Sequence, residues 1–182
     1  MSQIRVQPAR GLKHVAKGRR RGQEVLLPPA GETILVGLLH PSFIAQWIHY
    51  DVNLKRDVPH FSPDSCCPFC RACGYHDPRC YLHIGCTRKG IAGKTFMLKI
   101  PDTAIEHCDV VRELNEKGDL AGRCLYAFRM NKKKCGPVKI ELSDIPRREV
   151  QEGFAFDLEI AVDRLYHITE QQKLAEQFAA SM

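Results

Sequence analysis

The stretch Asp64 to Gly74 reads DSCCPFCRACG and crowds four cysteines, Cys66, Cys67, Cys70 and Cys73, into eight residues. Thiols this dense pair as disulfides, carry an iron–sulfur cluster, or hold a metal ion that shapes the chain around them. Cys67-Pro68-Phe69-Cys70 and Cys70-Arg71-Ala72-Cys73 are overlapping C-x2-C pairs. Two thiolates at that spacing sit on one tight turn and both reach a tetrahedral zinc at ~2.3 Å. Gly74 after the last cysteine suits such a knuckle, because a residue without Cβ lets the backbone fold close to the sulfurs. Spacing alone does not choose the remaining ligands, which come from His49, His60, Cys66, His76 or Cys80. The expected set is Cys67, Cys70, Cys73, His60, Cys66 and His49, with Zn2+ as the ion.

The other chemistries fit less well. Nine cysteines cannot all pair within one chain, and the N-terminus MSQIRVQPARGLKH lacks the apolar segment of a secretory signal. The expected location is therefore intracellular, where close thiols bind metals more often than they form disulfides. Cys66-x3-Cys70-x2-Cys73 has the spacing of radical-SAM iron–sulfur sites, but Ala72 stands where an aromatic is usual. A ferredoxin run asks for a further cysteine after three intervening residues, and this chain has Asp77 there. Cys80 and Cys86 alternate in step with Leu82 and Ile84, which marks Cys86 as core and Cys80 as core or a marginal ligand. Cys108, Cys124 and Cys135 are scattered and form no motif.

Enzyme motifs are sparse. The chain has no G-x-S-x-G, P-loop or G-x-G-x-x-G, and GIAGK (90–94) is a fragment of a phosphate loop that precedes a strand. His49 with Asp51, or His107 with Asp109, would suit a metal-dependent nuclease, but such neighbours arise easily by chance, and a non-enzymatic role is expected.

Charge points to a partner. The net charge is +6 over 182 residues. Between Arg5 and Arg21 the sequence has no acid and carries eight basic residues when His14 is included. Such a block is a solvated arm that commonly meets nucleic acid. No apolar run approaches the ~20 residues of a membrane span, so a membrane partner is not expected.

The elements that must position these groups read as follows. Residues 1–30, with the basic block and Pro28-Pro29, form an arm. ETILVGLL (32–39) is a strand, and SFIAQWIHYD (42–51) is compatible with helix or strand. Residues 52–79 are a proline-rich loop around the cysteines, too long to be ordered without help, and a bound metal supplies that help. RCYLHIGCT (79–87) and KTFMLKI (94–100) alternate as strands. Thr103 and Glu106 form a capping box for a helix whose stripe is Ile105, Cys108, Val111 and Leu114, ended by Gly118. LAGRCLYAFRM (120–130) and PVKIEL (137–142) are strands joined by a turn. Phe154, Leu158, Ala161, Val162 and Leu165 mark a helix, and Thr169 caps a second one. The expected class is α+β: an OB-like small β-barrel over 31–145 with a metal loop inserted, followed by C-terminal helices over 146–182.

An upstream histidine, His49 or His60, then Cys67-Pro68-Phe69-Cys70, then the run YLHIGCT…KTFMLKI…DLAGRCLYAFRM…PVKIEL resembles the zinc-containing single-stranded-DNA-binding proteins of T-even-type phages and small bacterial and phage proteins of the same zinc-plus-barrel kind. The resemblance covers roughly residues 40–142. It departs from the phage pattern in lacking an isolated cysteine between the histidine and the C-P-x-C. It implies a structural zinc and binding of single-stranded DNA or RNA without base preference, with a nucleoid-associated location. OB-folds hold single strands with a basic groove and stacking aromatics. The matching residues here are Lys17, Arg19, Arg20 and Arg21 on the arm, Trp47, then Arg123, Tyr126, Phe128 and Arg129 on one strand, and Lys132, Lys133 and Lys134 at its tip. On that strand Tyr126 and Phe128 share one face and Arg123 and Arg129 the other; alternating aromatics usually belong to the core, which would turn the arginines outward. The alternatives are a zinc-dependent protein-interaction module whose C-terminal helices dock on a partner, and an iron–sulfur protein.

Overall fold

The structure is a computed structural model describing residues 24–53, 55–61, 67, 69–70, 77–131, 136–149 and 157–180. In chain order the elements are β1 (Glu24–Leu26), β2 (Thr33–Leu38), β3 (Ile44–Asp51), β4 (Arg56–Pro59), β5 (Arg79–Arg88), β6 (Ile91–Pro101), α1 (Thr103–Glu106), α2 (Asp109–Glu116), β7 (Cys124–Arg129), β8 (Val138–Leu142), α3 (Leu158–Tyr166) and α4 (Ile168–Ala180). The expected α+β class is present. All the strands form one sheet whose main path runs β1-β6-β5-β2-β7-β8, with β3 pairing β5 and β4.

β5 organises the sheet. One edge pairs with β6, from Tyr81 opposite Pro101 to Arg88 opposite Ile91. The other edge is shared by two strands laid end to end: β2 puts Leu38 opposite Cys86, and β3 puts Ile44 opposite His83 and Trp47 opposite Cys80. The chain steps between them at residues 39–43. That step is held by the Phe43 amide donating to Asn115 Oδ1 at 2.8 Å and the Leu120 amide donating to Pro41 O at 2.9 Å. Pairing with β5 is what makes residues 44–51 a strand.

The expected closed barrel is not formed. Closure would require β6 to pair with β8, but the free edge of β6 is taken by β1, which runs parallel to it with Val25 opposite Met97. Residues 24–26 thus belong to the sheet and not to the arm; residues 1–23 lie outside those described. α1 and α2 pack on β8 instead. Their apolar positions Ala104, Ile105 and Val111 enter a core with Val36, Leu38, Ile84, Cys86, Leu98, Ile100, Leu125 and Ile140. The expected single helix is broken at His107–Cys108, and Asp102 caps its first turn by accepting from the Thr103 amide. Gly118, at φ 66, ends α2 in the left-handed conformation that favours glycine.

The opposite face of β5 and β6 is covered by α3. Leu158, Val162 and Tyr166 bury against Ile48 and Met97, so α3 places its apolar stripe on the chain's own sheet. The inner halves of this strand pair are dry on both faces and read as continuous buried runs, Ile84–Cys86 and Phe96–Ile100. Asp157 caps α3 by accepting from the Ile160 amide, and His167 closes it at φ 54. Asp163 Oδ1 then accepts from the Thr169 amide at 2.8 Å and starts α4.

Beneath α3 lies a polar cluster. His83 is fully buried and its Nε2 stands 2.8 Å from the Tyr166 hydroxyl. Lys99 pairs with Asp57 at 2.6 Å and lies over the Tyr81 ring, 4.3 Å from its centroid. Burial, aided by the Lys99 charge, pushes the His83 pKa down to about 4, so the folded state holds this ring neutral. Burial also raises the Tyr166 hydroxyl. Between pH ~6.5 and ~4 the unfolded chain therefore binds a proton that the folded chain refuses, and stability is lost as the pH falls, by up to ~1.4 kcal/mol per unit from this group. Above ~6.5 the contribution is complete. Urea unfolding across this window should show a shallower pH dependence for His83→Gln than for the wild type; equal slopes would remove His83 from the account.

Candidate metal centre

The β3–β4 hairpin brings two histidines together. Asp51 begins its turn by accepting from the Asn53 amide at 2.9 Å, and Lys55 takes a left-handed φ of 51. Short polar side chains that bond the backbone two residues on favour such turns. The hairpin register sets His49 opposite Val58, and the His60 amide donates to Trp47 O at 2.8 Å. His49 Nε2 and His60 Nδ1 consequently stand 2.9 Å apart. Cys67 and Cys70 approach from the following loop on a turn in which the Cys70 amide donates to Cys67 O at 3.1 Å.

The four side chains converge on one point. Cys67 Sγ is 3.6 Å from His49 Nε2. Cys70 Sγ is 3.5 Å from both His49 Nε2 and His60 Nδ1. All four ligand atoms lie within 4.8 Å of one another. A tetrahedral site with Zn–N of ~2.1 Å and Zn–S of ~2.3 Å has N···S edges of ~3.6 Å and an N···N edge of ~3.4 Å. These three sulfur–nitrogen distances match those edges, and the imidazole pair stands about half an ångström inside its own. His49 is 1% exposed and Cys67 4%, whereas Cys70 is exposed. The Phe69 ring stands 6.4 Å from His49 and 6.2 Å from Phe61, which screens the centre on the loop side. Burial, and next the neighbouring His49, lowers the His60 pKa, favouring the neutral imidazole that a metal requires.

Of the expected ligands, His49, His60, Cys67 and Cys70 form this group; Cys66 and Cys73 lie outside the described residues. Cys80 is buried in the sheet, its thiol pushed up to about 11 by desolvation and then by Asp102, and is not a member. Burial pushes Cys86 to about 12, as befits a core thiol.

The residues singled out for nucleic acid are dispersed. Trp47 is 49% exposed beside the metal group, with Tyr50 at 40% on the same strand. On β7 the alternation runs opposite to the core assignment of its aromatics: Leu125 and Ala127 are buried, Tyr126 is exposed and Phe128 half-buried. Arg123 is held by Asp119, with its Nη2 donating to Oδ2 at 2.5 Å. Arg129 Nε donates to Pro28 O at 2.6 Å. Asp119 also accepts from Arg147, and its carboxyl titrates below the usual range because of Arg123 first and Arg147 after it. Lys17, Arg19, Arg20 and Arg21, and Lys132, Lys133 and Lys134, lie outside the described residues. Among the described residues no helix is long and apolar enough to cross a membrane.

The chain should bind one divalent ion, and cobalt(II) should give the intense visible bands of a tetrahedral site with a thiolate charge-transfer band. His49→Ala, His60→Ala, Cys67→Ser and Cys70→Ser should each lower that signal and weaken binding, while Cys66→Ser and Cys73→Ser should leave it. The reverse pattern would move the ligand set onto the other cysteines. No protein-family model, curated protein or solved structure matches the chain.

Proposed function

We propose that this protein binds single-stranded nucleic acid without base specificity, and that a structural zinc in the His49, His60, Cys67 and Cys70 group fixes the surface used. The observation that carries the reading is the placement of exposed Trp47 and Tyr50 on the strand that also supplies His49. Large exposed aromatics beside a rigid centre offer stacking platforms for bases, and stacking does not depend on base identity. The mixed set of two sulfurs and two nitrogens suits zinc. When bound, zinc supplies no reaction here; it neutralises two thiolates and ties the loop to the hairpin.

Two further features support the reading. The net charge of +6 favours a polyanion. The strand path β6-β5-β2-β7-β8, with helices between β6 and β7, supports the reading because it follows the strand order expected for an OB-type fold, without the closure of its barrel. Leu158, Val162 and Tyr166 of α3 are buried on the sheet, so the apolar surface that α3 leaves for the partner-docking alternative is Ile160 and Leu165.

Fluorescence anisotropy with an unstructured oligo-dT tests this. Affinity should fall as salt rises, with a log–log slope of about −0.7 per phosphate contact. Trp47→Ala should weaken binding by ~1–3 kcal/mol with little change in slope. Chelating the metal should also weaken it. No binding at low salt would remove the nucleic-acid reading.

A further inference from the structure

On the outer face of the sheet, away from the metal group, a cavity of about 540 Å3 opens between the β5–β6 turn and residues 145–149. Its size is that of a site for one small ligand, in the range ~300–1,000 Å3. Its floor is made by Gly37, with Leu35, Thr87 and Cys124 around it. Gly37 sits in mid-strand, paired with Thr87 on one side and Cys124 on the other. A glycine weakens a strand interior and often marks a close approach by a ligand or another backbone. A Cβ here would come within 3.0 Å of Thr87 Oγ1 and stand in the floor.

Both walls are fixed. On one side the Arg148 amide donates to Gly122 O at 2.9 Å. The approach there is so close that a Cβ on Gly122 would lie 2.0 Å from Arg148 O. Arg147 anchors this wall through Asp119 and through Ala121 O at 2.9 Å, while its neighbour Arg148 lines the cavity. On the other side the Lys89 amide donates to Leu35 O at 3.0 Å, and Gly90 turns at φ 86.

Arg88, Lys89 and Arg148 stand on the two walls with one acid, Glu149, among the lining residues. None of the three cations forms an ion pair with a described residue. Tyr126, exposed, lies directly across the ladder from Leu35. A partly apolar slot between cations that lack an ion pair among the described residues, with an aromatic at its side, is complementary to a planar base carrying a phosphate.

The geometry points to this cavity as the seat of one nucleotide unit of a single strand: its base rests over Leu35 and Gly37, and its phosphates lie between Arg88 and Lys89 on one wall and Arg148 on the other. This rests on the nucleic-acid reading above, and it moves the phosphate contacts from Arg123 and Arg129, which have partners within the chain, to residues that form no ion pair among the described residues.

The test uses the full metal-loaded chain and oligo-dT. The triple variant Arg88→Ala, Lys89→Ala, Arg148→Ala is compared with a control triple, Lys117→Ala, Arg164→Ala, Lys173→Ala, which removes the same charge from residues that do not line the cavity. The cavity triple should lose roughly tenfold or more in affinity, and its salt slope should flatten by about 0.7 for each phosphate contact removed. The control should change little. Leu35→Trp, which fills the slot without altering charge, should weaken binding at constant slope; equal thermal unfolding of the variants would establish that all are folded. Unchanged binding by the cavity triple, an unchanged slope, or an equal loss in the control would each overturn the assignment while leaving nucleic-acid binding in place. Absence of binding by the wild type would overturn both.

Discussion

The hydrogen-bonding of β5 along both of its edges is the constraint on which the rest depends. Because β2 and β3 share one edge of it, the chain must step sideways at residues 39–43, and β3 then overhangs the end of the sheet. The overhang is where β4 folds back, bringing His60 to His49. The metal group is thus a consequence of strand pairing on one side, and of a proline-rich loop that offers two thiols on the other. Conversely, on the face away from the α1–α2 core, the half of β5 that pairs with β2 is where the sheet stays open as a cavity.

Strands with strong alternation were legible. β5 and β6 are legible because their apolar residues alternate in the sequence, Cys80, Leu82, Ile84 and Cys86 on one and Phe96, Leu98 and Ile100 on the other, although their centres are buried continuously. β3 was ambiguous because Ile44, Trp47 and Ile48 also lie at helical spacing, and only the ladder with β5 decides. β1 was missed because three residues beside a basic, proline-flanked segment carry no period, and their partner lies far along the chain. β4 was hidden inside a polar loop and ends at Pro59, which a short edge strand tolerates. The same omission of β1 explains the expectation of a closed barrel.

For the centre, C-x2-C spacing identified Cys67 and Cys70, and His49 and His60 were among the candidates. Spacing left the histidines level with Cys66 because a loop can fold several ways around a tetrahedral ion. The hairpin register is what brings the two histidines together. Alternation on β7 had a different defect: it groups residues by face without saying which face is inside. Leu125 and Ala127 occupy the core, so the larger aromatics face out, against the usual weighting of size. The cavity cations gave no sequence signal, since Arg88, Lys89 and Arg148 meet only through the fold.

The position of β2 bears on how the chain reaches this structure. Its neighbours are β5 and β7, and the helices separate those two in sequence. The β5–β6 and β7–β8 pairings are between successive strands and carry small loop-closure entropies. β2 must instead recruit partners from two distant hairpins, so its insertion is the step of highest contact order and the natural candidate for the slow phase of folding. Until it inserts, β5 and β7 each present an unpaired edge, the kind of surface on which a second chain can pair. The mid-strand glycine that leaves the cavity floor open also weakens this late strand, so an open binding face and slow completion of the sheet share a single residue, Gly37.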